Sequence, residues 1–199
     1  MDSPPMDRTP APMPAPMPDR PPARVQEDAV ALLARRIGGR AIGTGGVARL
    51  RRLDPMAPAA PEFWRLLAEI AEGAGHAGVA AEGTERGWAM VMAGMARMAP
   101  NHHRRGAAFA PGRVLAATDY AEPRLLRLLR VDPGTPAFAD ALRAVAAWLA
   151  VRGQPVDWTG LAALALARHE DAVETARRSI ARDYYTAADH AVREDAATP

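Results

Sequence analysis

Residues 101–106, NHHRRG, bring together the side chains of this chain that could most readily do chemistry: two histidines followed by two arginines. So many groups able to carry positive charge are hard to bury, which predicts that the segment faces something other than the protein core. A metal site, a catalytic group, a contact to nucleic acid and plain solvated surface are all compatible with these six residues. The rest of the chain must decide among the four.

The histidines do not form a metal-binding pattern, because no two of them are four residues apart, the spacing that places two ligands on one helix face. Cysteine is absent, which removes thiolate ligands, thiol nucleophiles and disulfides. The glycine stretch at 43–48, GTGGVA, follows no predicted strand, so it is interpreted as a turn between helices and not as a dinucleotide site. With no nucleophile paired to a base, the sequence predicts no enzyme, no metal and no cofactor.

The distribution of charge favours an anion-binding surface. All 25 basic residues are arginine, a bias that codon usage alone can produce, so position along the chain is the better guide. Residues 24–60 carry seven arginines against three carboxylates and residues 101–130 carry six against two, whereas 61–100 and 131–199 are net acidic. Two basic blocks between acidic ones are typical of a one-sided surface for an anionic partner. Evenly solvated charge remains the alternative.

One helix presents its arginines in register. In EPRLLRLLR, arginines recur every three residues while leucines occupy the other side, a ridge that can follow phosphates and that ordinary amphipathicity explains equally well. Further arginines lie near it in sequence, in predicted loops and short helices. The candidate nucleic-acid-binding residues are Arg49, Arg51, Arg52, Arg104, Arg105, Arg113, Arg124, Arg127 and Arg130.

The elements that must position these residues are predicted to be helices throughout. No alternating β-branched run of strand length occurs, whereas apolar residues recur at helical spacing after residue 24. Helices are expected at about 24–39, before Pro55, from Pro61, at 85–98, from Gly112, at 121–131, at 136–153, after Asp157 and at 169–188. The methionines of 85–98 are interpreted as core residues.

The predicted organisation is an all-α protein of two small helical bundles. Residues 1–23 contain proline at nearly every second position and are expected to form a disordered tail. The bundles are assigned to 24–100 and 101–190, with a soft boundary at 99–111, and 191–199 is expected to be a flexible C-terminus. No signal peptide and no membrane-spanning run are recognised, so a cytoplasmic location and no membrane partner are expected.

Several segments of the chain, taken in order, form a recognisable set. They are GGVARLRRLDP, PEFWRLLAEI, HHRRGAAFAPGRVLAATDYAEPRLLRLLR, VRGQPVDWTGLAALAL and ARDYYTA, spread over roughly residues 25–187. Together they resemble the CasB family, the small subunit of the type I-E CRISPR interference complex called Cascade. The combination of LRR, RRG before a small-residue helix, DW, and a terminal aromatic pair carries the likeness.

This resemblance implies a non-catalytic, two-lobed helical subunit that is present as paired copies beside the other Cascade subunits. It further implies that the protein helps to hold guide RNA, target DNA and the displaced single strand. The LRR motif corresponds to Arg51 and Arg52, and the RRG motif corresponds to Arg104 and Arg105. The segment AMVMAGMARM lacks the aromatic residue and the histidine usual in the family, and the proline-rich tail has no counterpart there.

Two other functions stay open on the residues alone. A helix-turn-helix regulator could read DNA with EPRLLRLLR or with the following helix, although neither carries the exposed Asn, Gln or Ser side chains that distinguish bases. A helical assembly scaffold could pair its arginines with acidic proteins and make no nucleic-acid contact. Backbone binding without base contacts suits a subunit whose sequence specificity is supplied by guide pairing.

Overall fold

A computed structural model describes residues 22–73 and 83–197, which fold as α-helices joined by short connections. The helices are α1 (Pro22–Gly38), α2 (Gly43–Arg51), α3 (Pro61–Gly73), α4 (Glu85–Met98), α5 (Pro111–Ala117), α6 (Glu122–Arg130), α7 (Pro136–Val151), α8 (Trp158–Leu166) and α9 (Glu170–Ala197), with a short 3-10 helix at Ala107–Phe109. In these ranges the only β-type pairing is an isolated parallel bridge between His103 and Val156. The all-α prediction is confirmed. The tail predicted for residues 1–23 lies, up to residue 21, outside the described residues.

Two predictions of local structure were wrong. The glycines of GTGGVA form the first turn of α2 and are not a turn between helices. Gly46 is buried there, and a β-carbon added to it would lie 3.2 Å from Glu62 Cγ, so close packing on α3 favours glycine in this helix. The last helix continues to Ala197 and not to residue 188, because 189–197 contains alanine-rich sequence without proline or glycine.

Helix α4 supplies much of the core. Its methionine side chains at 92, 95 and 98 are buried, which confirms their interpretation as core residues. Gly94 lies against the Trp158 indole so closely that an added β-carbon would overlap Cη2. Helix α4 packs on α2, α7 and α8, so it contacts elements from both ends of the chain.

Most of the buried hydrophobic side chains in the described residues belong to one cluster, which includes residues on both sides of the predicted boundary at 99–111. Helices α5 and α9 approach closely at Gly112, which faces the backbone carbonyl of Ile180 with no room for a side chain. Division into two bundles at that boundary stays a prediction. Across residues 22–73 and 83–197, no helix combines the length and the apolar character needed to span a membrane.

Candidate nucleic-acid interface

The two histidines of NHHRRG are turned inward. His102 is 3 % exposed, its Nδ1 lies 3.0 Å from the Pro100 carbonyl oxygen, and its ring covers Gly38 at the end of α1. The His103 side chain is 7 % exposed, and its Nδ1 accepts a hydrogen bond of 3.1 Å from the backbone N–H of Trp158. The expectation that the cationic residues of this segment resist burial is wrong for the histidines, because both rings find backbone partners.

Both rings are uncharged at neutral pH. Burial lowers the pKa of His102, and burial also lowers the pKa of His103 despite the Asp157 carboxylate at 4.0 Å. Since Nδ1 of His103 accepts the Trp158 N–H, its ring proton is on Nε2. The two histidines therefore fix the position of the loop. In the part of the chain that the structure describes, no group of three or more histidine and carboxylate side chains could hold a metal ion.

The backbone of this loop is tied to the connection before α8. The Arg104 N–H donates to the Val156 carbonyl at 3.3 Å, and the Asp157 N–H donates to the Phe109 carbonyl at 2.7 Å. Asp157 also caps α8, as the sequence predicts, by accepting the Thr159 N–H with its carboxylate. These backbone hydrogen bonds fix the position of the loop, from which its exposed side chains extend.

The two arginines of the loop are exposed but engaged. The Arg104 guanidinium lies 4.8 Å from the centre of the Phe109 ring, a cation–π distance. Arg105 donates to Glu27 of α1 at 2.7 Å, and both side chains stay partly open to solvent. Arg104 has no carboxylate partner among the described residues, whereas Arg105 is paired with the Glu27 carboxylate.

Arg49 on α2 is also paired. It forms two hydrogen bonds with the Glu62 carboxylate, through Nε at 2.9 Å and through Nη2. The bonds from Arg49 lower the pKa of Glu62 to about 2 and raise the pKa of Arg49 above its ordinary value. This bidentate pair links α2 to α3 and occupies the guanidinium that the sequence assigns to nucleic acid.

The end of α2 presents two different arginines. Arg51 Nε donates to the Ala96 carbonyl on α4 at 2.9 Å, which fixes the side chain along α4. Arg51 lines a crevice of about 20 Å³ together with Arg97 and Arg143, two residues that sequence reasoning missed because they lie in net acidic segments. Arg52 is exposed and forms no side-chain hydrogen bond or ion pair with any described residue.

Helix α6 carries an arginine ridge over a buried leucine face. Leu125, Leu128 and Leu129 are buried, and the arginines at 124, 127 and 130 are exposed. Arg127 and Arg130 flank an open groove whose apolar residues are Pro123, Leu126 and Val131. Neither guanidinium has a carboxylate partner among the residues described, and the same holds for Arg113 on α5.

A third group of cations surrounds Trp148 near the end of α7. The Cζ atom of Arg152 lies 3.3 Å from the centre of the Trp148 ring, and that of Arg124 lies 5.6 Å from it. The sequence places Trp148 on the core face of its helix, but the residue is only partly buried, and Arg152 packs against its ring. Arg152 was not among the predicted site residues, since no motif marks it.

The structure places the predicted arginines on α2, on the residues that follow α2, on the loop at 101–106, on α5 and on α6. The loop at 101–106 lies beside residues 153–156, since His103 and Val156 form the parallel bridge and Asn101 donates to the Gly153 carbonyl. Arg49 is committed to Glu62, and Arg51 is anchored on α4. Exposed guanidiniums therefore lie on several helices and on the loop at 101–106, and positive charge of this kind suits contact with an anionic partner.

Residues 46–185 match the sequence family described as CRISPR-associated protein Cse2. The chain belongs to this family. It is a small subunit of the type I-E Cascade complex, as the resemblance to CasB implied. Comparison with curated proteins and with solved structures gives no match.

Proposed function

We propose that this Cascade subunit holds guide RNA, target DNA and the displaced single strand by contacts to their phosphate backbones. It performs no catalysis, lies in the cytoplasm and acts in antiviral defence. Paired copies of the chain bind beside the other Cascade subunits. The helix-turn-helix regulator and the pure scaffold are the competing functions, and each predicts a different binding result.

One observation carries the proposal: exposed arginines lie on several elements without a carboxylate partner in the described part of a chain whose family is a Cascade subunit. Arg52, Arg113, Arg127 and Arg130 are the clearest members of this group. A guanidinium without an acidic partner offers its planar set of N–H donors to phosphate oxygens. Such contacts position a strand without reading its sequence, which guide pairing supplies.

The residues with internal partners contribute less directly. Arg51, with its Nε bound to Ala96, keeps its terminal nitrogens for a phosphate, and Arg104 keeps its full charge beside Phe109. Arg49 and Arg105 would have to share their N–H donors with Glu62 and Glu27. We therefore rank Arg49 lowest among the nine predicted contacts.

Filter binding with the purified chain tests this function. Single-stranded DNA and RNA of several unrelated sequences should bind weakly and with similar affinity, and log K should fall linearly with log salt. The variant R52A/R113A should bind more weakly, with a salt slope flatter by about 1.4 if each arginine contacts one phosphate of a single strand.

The variant R36A/R178A is the matched control, since it removes the same charge from arginines that are paired with Glu69 and Glu174. It should change the salt slope far less. A preference of several hundredfold for one duplex sequence would support the regulator. Absence of any salt-dependent binding would support the scaffold.

A further inference from the structure

Arg152 lies flat against one face of Trp148. Its Cζ is 3.3 Å from the ring centre, which is van der Waals contact, and two planar groups fit at that distance only when they are stacked. Arg152 is exposed although the indole covers one face of its guanidinium, so solvent reaches the remaining surface of the side chain. The pair forms a layered platform whose outermost layer is a planar cation.

The platform is held rigidly from below. Trp148 Nε1 donates to Thr118 Oγ1 at 3.3 Å, and the Tyr120 ring packs edge-on against the indole at 5.6 Å with an angle of 73°. Arg152 is the C-cap residue of α7, and its backbone N–H is bonded to the last turn of that helix. The side chains are therefore ordered before any partner arrives, which reduces the entropy lost on binding.

The surroundings of the platform lack a compensating acid. Among the described residues, no carboxylate forms an ion pair with Arg152 or with Arg124, although both guanidiniums lie close to the same indole. Val151 beside it is 85 % exposed, an unusual position for an apolar side chain. The corner at the end of α7 thus combines two cations, an open planar face and an apolar neighbour.

We propose that Arg152, stacked on Trp148, is a docking platform for one unpaired base of single-stranded nucleic acid. The base stacks on the open face of the guanidinium, and the N–H donors of Arg152 and Arg124 contact the adjoining phosphate. A carboxylate of a partner protein would bind in the guanidinium plane and would leave the open face and Val151 unused. The backbone next to the platform is attached to the loop at 101–106, because Asn101 donates to the carbonyl of Gly153, the residue after Arg152.

This inference rests on the proposed nucleic-acid function, and the experiment separates the two. The probes are a fluorescent single-stranded oligothymidylate and an abasic oligonucleotide of the same length and charge, titrated with the full chain. The wild-type chain should bind the oligothymidylate at least about fivefold more tightly, the lower end of the effect of one stacked base. R152K should lose this difference, because lysine keeps the charge and lacks the planar face.

R178K on α9 is the control and should retain the preference for bases. If the wild-type chain binds neither probe, the proposed function fails. If it binds both probes equally, or if R152K keeps the preference, the platform is wrong while backbone binding stands. Displacement of oligothymidylate from the wild-type chain by polyglutamate but not from R152K would also overturn the platform, since it would identify a carboxylate site.

Discussion

The loop at 101–106 and helix α6 are both rich in arginine, but they are attached to the rest of the protein by different kinds of contact. The loop is attached through polar groups: His103 accepts the Trp158 N–H, and Arg105 pairs with Glu27 on α1. Helix α6 is attached through buried leucines, and its arginines at 127 and 130 meet no carboxylate in the described residues. The number of arginines in a segment therefore does not show how many of them are unpaired and available to bind a partner.

The largest effect should follow from cutting the apolar attachment of α6. Leu128 is 0 % exposed, and L128A should lower the free energy of unfolding by about 2–5 kcal/mol. Urea denaturation measures the loss, which should be the same at pH 5 and pH 7 relative to wild type. A loss below 1 kcal/mol would mean that α6 is not anchored by its leucines.

The next effect concerns the polar attachment of the loop. H103F leaves the Trp158 N–H without its acceptor and should lower the free energy of unfolding by about 1–3 kcal/mol. H103N, whose side-chain oxygen can take the place of Nδ1, should recover part of the loss. Equal destabilisation by both variants would show that the His103 ring stabilises the fold through packing and not through this hydrogen bond.

The same attachment makes stability depend on pH. The pKa values of His102 and His103 are lowered in the folded chain from their ordinary value of 6.5, so the unfolded chain binds protons first as the pH falls. Stability should be complete above pH 6.5 and should decrease as the pH drops below it. Denaturation between pH 7.5 and 5 measures this slope, which should be shallower in H103N and unchanged in L128A.

A smaller effect tests the pairing of Arg105 with Glu27. E27Q removes the carboxylate from a partly exposed pair and should cost less than about 1 kcal/mol of stability. Affinity for single strands should rise, because Arg105 regains an uncompensated charge. E174Q changes the net charge equally at the Arg178 pair and should raise affinity less. An equal gain in affinity from E27Q and E174Q would mean that the change in net charge alone explains the effect.

The smallest effect on stability is expected on the outer face of α6. R127A/R130A should change the free energy of unfolding by no more than about 0.5 kcal/mol per site. Its salt slope for single-stranded DNA should flatten by about 1.4. An unfolded variant would show that these arginines are structural. A folded variant with unchanged binding would remove α6 from the interface.

Local pattern was sufficient to predict most helices. The bounds Pro61–Gly73 and Glu85–Met98 agree with the sequence because a proline opens the first helix and apolar residues recur at helical spacing in both. The partners of the arginines could not be predicted in this way. Glu62 lies 13 residues from Arg49, and Glu27 lies 78 residues from Arg105, so both pairs depend on how helices pack.

The inward histidines show the same limit. Their rings are buried because backbone groups of Pro100 and Trp158 meet them, and no periodicity in NHHRRG indicates such partners. The sequence did not predict three further arginines because each lies in a segment with a net negative charge. They are Arg97, Arg143 and Arg152. A net charge counted over a stretch of sequence combines residues that lie far apart in the fold, so it does not show where individual arginines are exposed.

Trp158 connects the core to the loop at 101–106. Its indole fills the space left by Gly94, while its backbone N–H holds His103. A β-carbon at Gly94 would displace the indole and, through the same residue, shift the seat of the cationic loop. A mutational scan for weakened strand binding should therefore find G94A, a change on a buried helix face that no ligand touches.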